Sequence, residues 1–337
     1  MAIFRSLAKS ASMASIKTRY TFGDTIRVFV GHERQEFRIN KTQLCTASPY
    51  FQEKLKYMDA DSVMYLPRDS PAMFELFAAW IHEPHTFRRH LDDAISAACD
   101  ASSPPAGQHP APDSNSNKNG DKSEAATAAT TATNPCQRLH WALVRLHLFA
   151  STLSLSPLQD AAMDAIQDLY LRRDWDVTPR FVSFLYSQCT ADSSLRLRRW
   201  AVAMVAYSLS NPAASRATSA PSQFQRLLGL HPEFSAEYAG HLRKMGASGL
   251  DIGAKNPQLR IPANRLRNEE RRFAFRQCAF HTHRASAGEG RCPHEVVAEK
   301  RKRMPVWGVE SVIREDRPWA RGVEVPRPLK VRVAGRV

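Results

Sequence analysis

The sequence predicts a mixed α+β protein, with a small sheet of three or more strands capped by helices, an all-α extension and a largely irregular basic tail. Ile26, Val28 and Val30 alternate with Thr25, Arg27 and Phe29, which is the pattern of a strand that buries one face. Apolar residues recur at helical spacing between Leu139 and Ile166. From Lys255 onward, Lys and Arg outnumber Asp and Glu by 20 to 9, so most of the net charge of +14 lies near the end of the chain.

A β-hairpin is the first predicted element. The alternating strand runs from Asp24 to Val30, and its apolar positions are Ile26, Val28 and Val30. Residues 31–33, Gly-His-Glu, are a turn signal, and residues 35–39 have the pattern of a returning strand. The sequence therefore predicts two antiparallel strands at the start of the fold.

Helices and a third strand are predicted after the hairpin. Leu44, Ser48 and Phe51 have helical spacing, and Ser48 followed by Pro49 can cap and start a new helix. Residues 63–66 have the composition of a strand. Pro71 then begins a helix whose apolar side consists of Phe74, Phe77, Ala78 and Ile81.

These elements carry a set of residues in a fixed order: Asp24…Val28-x-Val30…Phe37…Leu44-x3-Ser48-Pro49-Tyr50-Phe51…Val63-x2-Leu66-Pro67…Pro71-x2-Phe74-x2-Phe77-x2-Trp80-Ile81. In order, spacing and residue type this stretch resembles the BTB/POZ family. One departure is Asn40, since the family usually has His at that position, before Lys41. The resemblance implies a module for protein interaction and not an enzyme.

The resemblance also implies where partners bind. In the family, an Asp near the first strand and a basic residue after the usual His lie in a charged pocket at the dimer interface, and Asp24 and Lys41 match them here. Asp24 is also suited to a turn or strand-entry cap. An interface is thus expected at Asp24, Asn40, Lys41, Ser48, Tyr50 and Phe51. The expected partners are another BTB chain and a cullin, which would make the chain a substrate adaptor of a ubiquitin ligase.

A low-complexity stretch interrupts the predicted domain. Residues 100–135 are mainly Ser, Pro, Asn, Ala and Thr, and so few apolar side chains cannot offset the entropy of ordering. Beyond it, Ala150, Leu153, Leu158, Ala162 and Met163 resemble the helix pair that closes a BTB domain. We therefore predict one domain over residues 23–170 with a disordered insertion as an internal loop.

An all-helical extension is predicted over residues 171–250. Thr178 followed by Pro179 is a helix start signal, and Ser193 and Ser194 are another. Residues Phe224 to Met245 are expected to form one or two helices, broken near His231 and Pro232. The helix that contains Arg196–Arg199 and Trp200 is predicted to have one buried and one solvated face.

The cysteines and the N-terminus indicate the compartment. Six scattered cysteines without a secretory signal or a long apolar run favour a reduced, intracellular protein outside membranes, in the nucleus or cytoplasm. Residues 1–22 are basic, rich in Ser and free of acids. This composition fits a disordered basic tail and also a mitochondrial transit peptide, and both alternatives stay open.

A group of Cys and His residues in the basic region, residues 251–337, predicts a structural zinc site. The pattern is Cys278-x2-His281-x-His283-x8-Cys292-x-His294, and thiolate and imidazole are the ligands that zinc prefers. Four places and five candidates leave His281 and His283 as alternatives for one of them. Chance clustering in a basic tail is the other interpretation.

The tail also carries charge runs. Lys300, Arg301, Lys302 and Arg303 match a nuclear localisation signal, and Phe273, Phe275 and Phe280 lie among arginines that could contact nucleic acid. A zinc-containing nucleic-acid or chromatin binder is therefore the alternative function. The isolated histidines at positions 32, 82, 85, 90 and 147 are expected to lie at the surface or to have hydrogen-bond partners.

Overall fold

The computed structural model describes residues 25–57, 63–102, 134–211, 221–261 and 270–283. The chain divides into two units, Met1–Cys292 and Pro293–Val337, and every described residue belongs to the first. The strands are β1 (Thr25–Val30), β2 (Gln35–Asn40), β3 (Val63–Leu66), β4 (Asn256–Ile261) and β5 (Ala274–Arg276). The helices are α1 (Lys41–Ala47), α2 (Pro49–Lys56), α3 (Pro71–His82), α4 (Phe87–Ala101), α5 (Pro135–Thr152), α6 (Ser156–Arg173), α7 (Pro179–Ser187), α8 (Ala191–Ser210), α9 (Pro221–Leu230), α10 (Pro232–Ala247) and α11 (Glu270–Phe273).

The fold is mixed α+β and mostly helical, as the sequence predicts, and its N-terminal sheet has three described strands. The strand order is β2-β1-β3, with β1 antiparallel to β2 and parallel to β3. The inward side chains of β1 are fully buried: Ile26, Val28 and Val30. Gly31 ends β1 with a φ of 75°, and a Cβ there would lie 3.1 Å from the Pro71 ring. The first turn therefore favours glycine for its backbone and for its close approach to α3.

Two local signals position the first helices. The side chain of Asn40 accepts a hydrogen bond from the Gln43 backbone N–H at 3.0 Å, which caps α1. Ser48 stands at the N-cap position of α2, but the expected side-chain cap is wrong. The Ser48 hydroxyl instead donates to the carbonyl of Leu153, 3.4 Å away, and so ties α2 to the end of α5.

The core continues from the sheet into α3 and α5 through aromatic contacts. Phe77 of α3 lies 5.8 Å from Phe51 and 5.1 Å from Phe149, measured between ring centroids. Phe74 lies 5.0 Å from Phe37 of β2. These contacts bury large aromatic surfaces on both sides of α3, which fixes that helix between the sheet and α5.

Helix α4 ends and helix α5 begins beside the predicted insertion. Ser102, just after α4, donates its hydroxyl to the side-chain oxygen of Asn134 at 2.7 Å, and Asn134 caps α5 through the Cys136 N–H at 2.9 Å. The Sγ atoms of Cys99 and Cys136 are 3.9 Å apart. Most of the predicted insertion, residues 103–133, lies outside the described residues.

In the described part of residues 171–250 the regular structure is helical, and α8 differs from its predicted form. Thr178 caps α7 by accepting from the Phe181 N–H at 3.2 Å, and Pro232 separates α9 from α10. Helix α8 begins at Ala191, before the predicted signal, and has no simple solvated face. Arg196 and Arg198 are both buried along with Trp200, because α8 packs against several elements, including α5, α7 and α10.

Part of the region predicted as an irregular tail is folded. β4 and β5 form a parallel pair, and β4 contacts α6 and α8. The amide of Gln258 donates to the Trp175 carbonyl at 2.7 Å, and Lys255 donates to the Ala274 carbonyl at 3.1 Å. These polar contacts were not signalled by apolar periodicity. Within the described residues, no helix is long and apolar enough to cross a membrane.

Candidate functional site

The outward face of the three-stranded sheet is aromatic and basic. Phe29 of β1 stacks on Tyr65 of β3 with 5.7 Å between ring centroids, and the Tyr65 side chain is 57% exposed. Arg27 and Arg38 face each other across β1 and β2, and both are exposed. Arg38 also donates to Glu36 at 3.0 Å. We call Arg27, Phe29, Arg38 and Tyr65 the sheet face.

The expected charged pocket is only partly among the described residues. Asp24 lies outside them. Asn40 is buried, and its side-chain oxygen is engaged by the N-terminus of α1. Lys41 is half-buried and lines a shallow depression together with Thr42, Cys45, Thr46 and Gln52. Asn40 therefore has a local structural role that accounts for an amide at this position.

The remaining predicted interface residues differ in exposure. Ser48 is completely buried, and Phe51 is 1% exposed in the core, so neither side chain offers contact surface to a partner. This corrects the expectation for both. Tyr50 is 47% exposed and accepts a hydrogen bond from Lys54 at 3.2 Å. Tyr57, which follows α2, is 76% exposed and extends the aromatic surface of this region.

A second site centres on a row of carboxylates on α6. Asp160, Asp164 and Asp168 follow one another at intervals of four residues and therefore share one face of the helix. Arg260 of β4 forms ion pairs with both Asp164 and Asp168. Arg88 of α4 pairs with the same two residues, and its Nη1 is 3.3 Å from Asp164. The carboxylates of Asp164 and Asp168 thus bind α4 through Arg88 and β4 through Arg260.

Two of the predicted zinc ligands meet the first carboxylate of this row. The Nδ1 atoms of His283 and His281 lie 3.7 Å and 3.9 Å from Oδ2 of Asp160. One ligand atom from each of the three residues falls within 4.8 Å of the others. The Thr282 backbone N–H and hydroxyl donate to the two oxygens of Asp160, at 2.7 Å and 3.2 Å. The turn from 281 to 283 is therefore anchored on α6 through its middle residue.

The second nitrogen of His281 has its own partner. Nε2 lies 3.0 Å from Oδ1 of Asp164, and His281 is 2% exposed. Burial acts to raise the pKa of Asp164, but the hydrogen bond from His281 and the charges of Arg260 and Arg88 outweigh it and lower that pKa. Asp164 is therefore held as a carboxylate beside the imidazole.

The other predicted ligands do not join this cluster within the described residues. Cys278 is buried, but its sulfur is not part of the group formed by Asp160, His281 and His283. Cys292 and His294 lie outside the described residues, as do Lys300, Arg301, Lys302 and Arg303. Sequence reasoning missed Asp160 as a member of the site. The four-residue spacing of acids on a helix that must also pack was the available signal.

A buried polar group between α5 and α8 was also missed. His147 is completely buried, and neither ring nitrogen has a hydrogen-bond partner, which corrects the expectation of a surface or satisfied histidine. Burial, with the nearby charge of Arg196, lowers the pKa of His147 to about 3. Nη1 of Arg196 and the indole N–H of Trp200 are likewise buried without a hydrogen-bond partner. Burying these polar groups without hydrogen-bond partners lowers the free energy of unfolding, and sequence periodicity does not reveal this cost.

No protein-family model, curated protein or solved structure matches this chain significantly. The sheet face and the cluster at Asp160 are therefore the features from which a function is inferred.

Proposed function

We propose that the N-terminal part of the chain is a protein interaction module of the BTB/POZ type, through which the chain associates with a second copy of itself. The observation that carries this proposal is the sheet face, on which a Phe29–Tyr65 stack lies on the same side of the sheet as two exposed arginines. Aromatic residues and arginine are enriched where proteins associate, and Tyr and Arg are frequent energetic centres of such contacts.

Two further features support the proposal. The order of β1, β2, α1, α2, β3 and α3 is the order that the family resemblance implies. Tyr50 and Tyr57 add exposed aromatic surface near α2. A cullin N-terminal region is the heterotypic partner that the same resemblance implies, and it would dock in the region of Tyr50.

Native mass spectrometry of the full-length protein over a range of concentrations tests the proposal. We expect the wild-type chain to form dimers and the double variant Phe29→Ser/Tyr65→Ser to dissociate at least about tenfold more readily, as for loss of central contact residues. Leu230→Ser is the matched control, because Leu230 is 60% exposed but belongs to α9. Circular dichroism of each variant establishes that its fold is retained.

The outcomes separate the two partner classes. A monomer that binds a cullin N-terminal fragment, with binding weakened by Tyr50→Ser, would replace the homotypic partner by the heterotypic one. A folded chain that neither dimerises nor binds the fragment would contradict the interaction module. Equal dimer affinity in the double variant would remove the sheet face from the contact.

A further inference from the structure

We propose that Asp160, His281 and His283 form a binding site for a divalent metal ion of the zinc class. The site joins α6 to the turn that follows β5. It is independent of the interaction module proposed above and differs from the thiolate-containing set that the sequence suggests, because its third ligand is a carboxylate from a distant helix.

The distances fit such an ion after a small contraction. Zinc binds imidazole nitrogen and carboxylate oxygen at about 2.0–2.2 Å, so two ligands of a tetrahedral ion are separated by roughly 3.3–3.5 Å. The two Nδ1 atoms lie 3.7 Å and 3.9 Å from Oδ2 of Asp160. The ligand atoms of the three residues all lie within 4.8 Å of one another, so side-chain shifts of about 1 Å or less would bring them to bonding geometry.

The surroundings of His281 point to a ligand independently of the cluster itself. Its Nε2 is 3.0 Å from Asp164, while its Nδ1 is on the side of Asp160. A metal-bound histidine usually donates its other N–H to a carboxylate, which fixes the tautomer and orients the lone pair towards the metal. Asp164 is itself held by Arg260 and Arg88, so the orienting carboxylate is fixed on both sides.

The backbone of the turn is also fixed. Thr282 donates to both oxygens of Asp160, and its carbonyl accepts a hydrogen bond from Arg196 of α8 at 3.1 Å. The hydrogen bonds of Thr282 therefore hold His281 and His283 next to Asp160, and these bonds do not involve the histidine rings. This is the rigid support that a metal site requires.

Zinc binds two imidazoles and a carboxylate with its fourth position open, and this set contains no soft sulfur ligand. Bound metal would link residues 122 positions apart in the chain, Asp160 and the segment next to Thr282. Metal binding is therefore expected to stabilise the packing of the turn at residues 281–283 on α6 and to raise the melting temperature of the protein.

The test uses the full-length protein, stripped with a chelator and dialysed, and titrated with Zn²⁺ against a chromophoric chelator. We expect one tight equivalent that is lost in both Asp160→Asn and His283→Gln. His85→Gln is the matched control, because it removes an exposed histidine that lies outside the site. This variant is expected to keep the equivalent. Because Asp160→Asn can also loosen the turn, His283→Gln provides the second, less disruptive removal of a ligand.

Substitution with Co²⁺ gives an independent readout. Nitrogen and oxygen ligands in a tetrahedral site are expected to give visible d–d bands without the strong near-ultraviolet charge-transfer band of a thiolate. Zinc should raise the melting temperature of the wild type and of His85→Gln, and should not raise that of His283→Gln. The proposal is overturned if wild-type protein binds no tight zinc, if both ligand variants keep it, or if a thiolate band appears and Cys278→Ser abolishes it.

Discussion

The guanidinium of Arg198 lies against the ring of Tyr186, with its central carbon 4.3 Å from the ring centroid, although Arg198 is only 2% exposed. Its Nε and Nη2 donate to the Leu185 carbonyl at 3.3 Å and 3.1 Å, and Nη2 also donates to the Cys189 carbonyl at 3.2 Å. Nη1 pairs with Glu233 of α10. One buried side chain thus satisfies the carbonyls at the end of α7 and joins α7, α8 and α10.

We expect Arg198→Met to lower the free energy of unfolding by about 3 kcal/mol, because the two carbonyls lose their donor while remaining buried. Urea unfolding followed by circular dichroism measures this. Arg199→Met is the matched control, since Arg199 is the exposed neighbour on the same helix, and it should change stability by less than about 0.5 kcal/mol. Equal losses in the two variants would show that Arg198 does not have this role.

His147 predicts a stability that falls in acid. Because its pKa is lowered to about 3 in the folded chain, the native state keeps it neutral while the unfolded state takes up a proton below pH 6.5. Stability from this residue is complete above pH 6.5 and is lost as the pH falls towards 3.

His147→Met should remove this dependence and flatten the curve of unfolding free energy between pH 7 and pH 5 by about 2 kcal/mol. His85→Met, at an exposed position, should leave the curve unchanged. The measurement is urea unfolding at a series of pH values. A His147→Met curve parallel to that of the wild type would refute the buried neutral state.

The hydrogen bond by which Asn40 caps α1 should contribute to the stability of the protein. Asn40→Ala removes the acceptor for the Gln43 N–H and should cost about 1 kcal/mol of unfolding free energy, whereas Asn40→Ser should retain most of the cap. Thermal and urea unfolding compare the three proteins. If both variants were equally destabilised, the loss would come from packing around the buried side chain and not from capping.

Cys99 and Cys136 predict an internal disulfide under oxidation. Treatment with diamide should join the two sulfurs, with both thiol hydrogens passing to the oxidant, because the sulfurs already lie 3.9 Å apart. Burial and the neighbouring Cys136 raise the pKa of Cys99, so the reaction should be faster at high pH.

Closing this loop should stabilise the chain by about 3–4 kcal/mol. Peptide mapping without reduction identifies the bond, and Cys99→Ser should prevent both the bond and the gain in melting temperature. Pairing of Cys136 with Cys45 or Cys189 instead would contradict the geometry of the α4–α5 contact.

Much of the fold follows from local signals in the sequence. The turn at Gly31 was predictable, because glycine readily adopts the positive φ found there. Four helix starts were predictable because a proline fixes φ and lacks a donor that the first helical turn does not need: Pro49, Pro71, Pro179 and Pro232. The alternation in β1 was similarly clear, since one face is buried. Such effects act between neighbouring residues and can be identified without a tertiary model.

The polar interior could not be predicted in the same way. From the sequence alone, Arg198 and Asp160 have the pattern of solvated residues on helix surfaces. In the structure, Arg198 binds the end of α7, and Asp160 binds Thr282, which is distant in the sequence. Exposure patterns assume that charge faces water, so they fail where charges are paired inside. Of the proposed metal site, the two histidines were predicted. The four-residue spacing of Asp160, Asp164 and Asp168 was a signal for the carboxylates, but it did not identify their partners.

The hydrogen bond between Ser102 and Asn134 brings together the two ends of the interval 103–133. The distance that the interval must span is therefore set by α4 and α5 and not by its own residues. For a flexible chain between fixed ends, closure entropy grows only with the logarithm of length, so a doubled length costs about 0.6 kcal/mol. The helix ends at Ser102 and Asn134 can therefore be joined by chains of different lengths without a change in the distance between them.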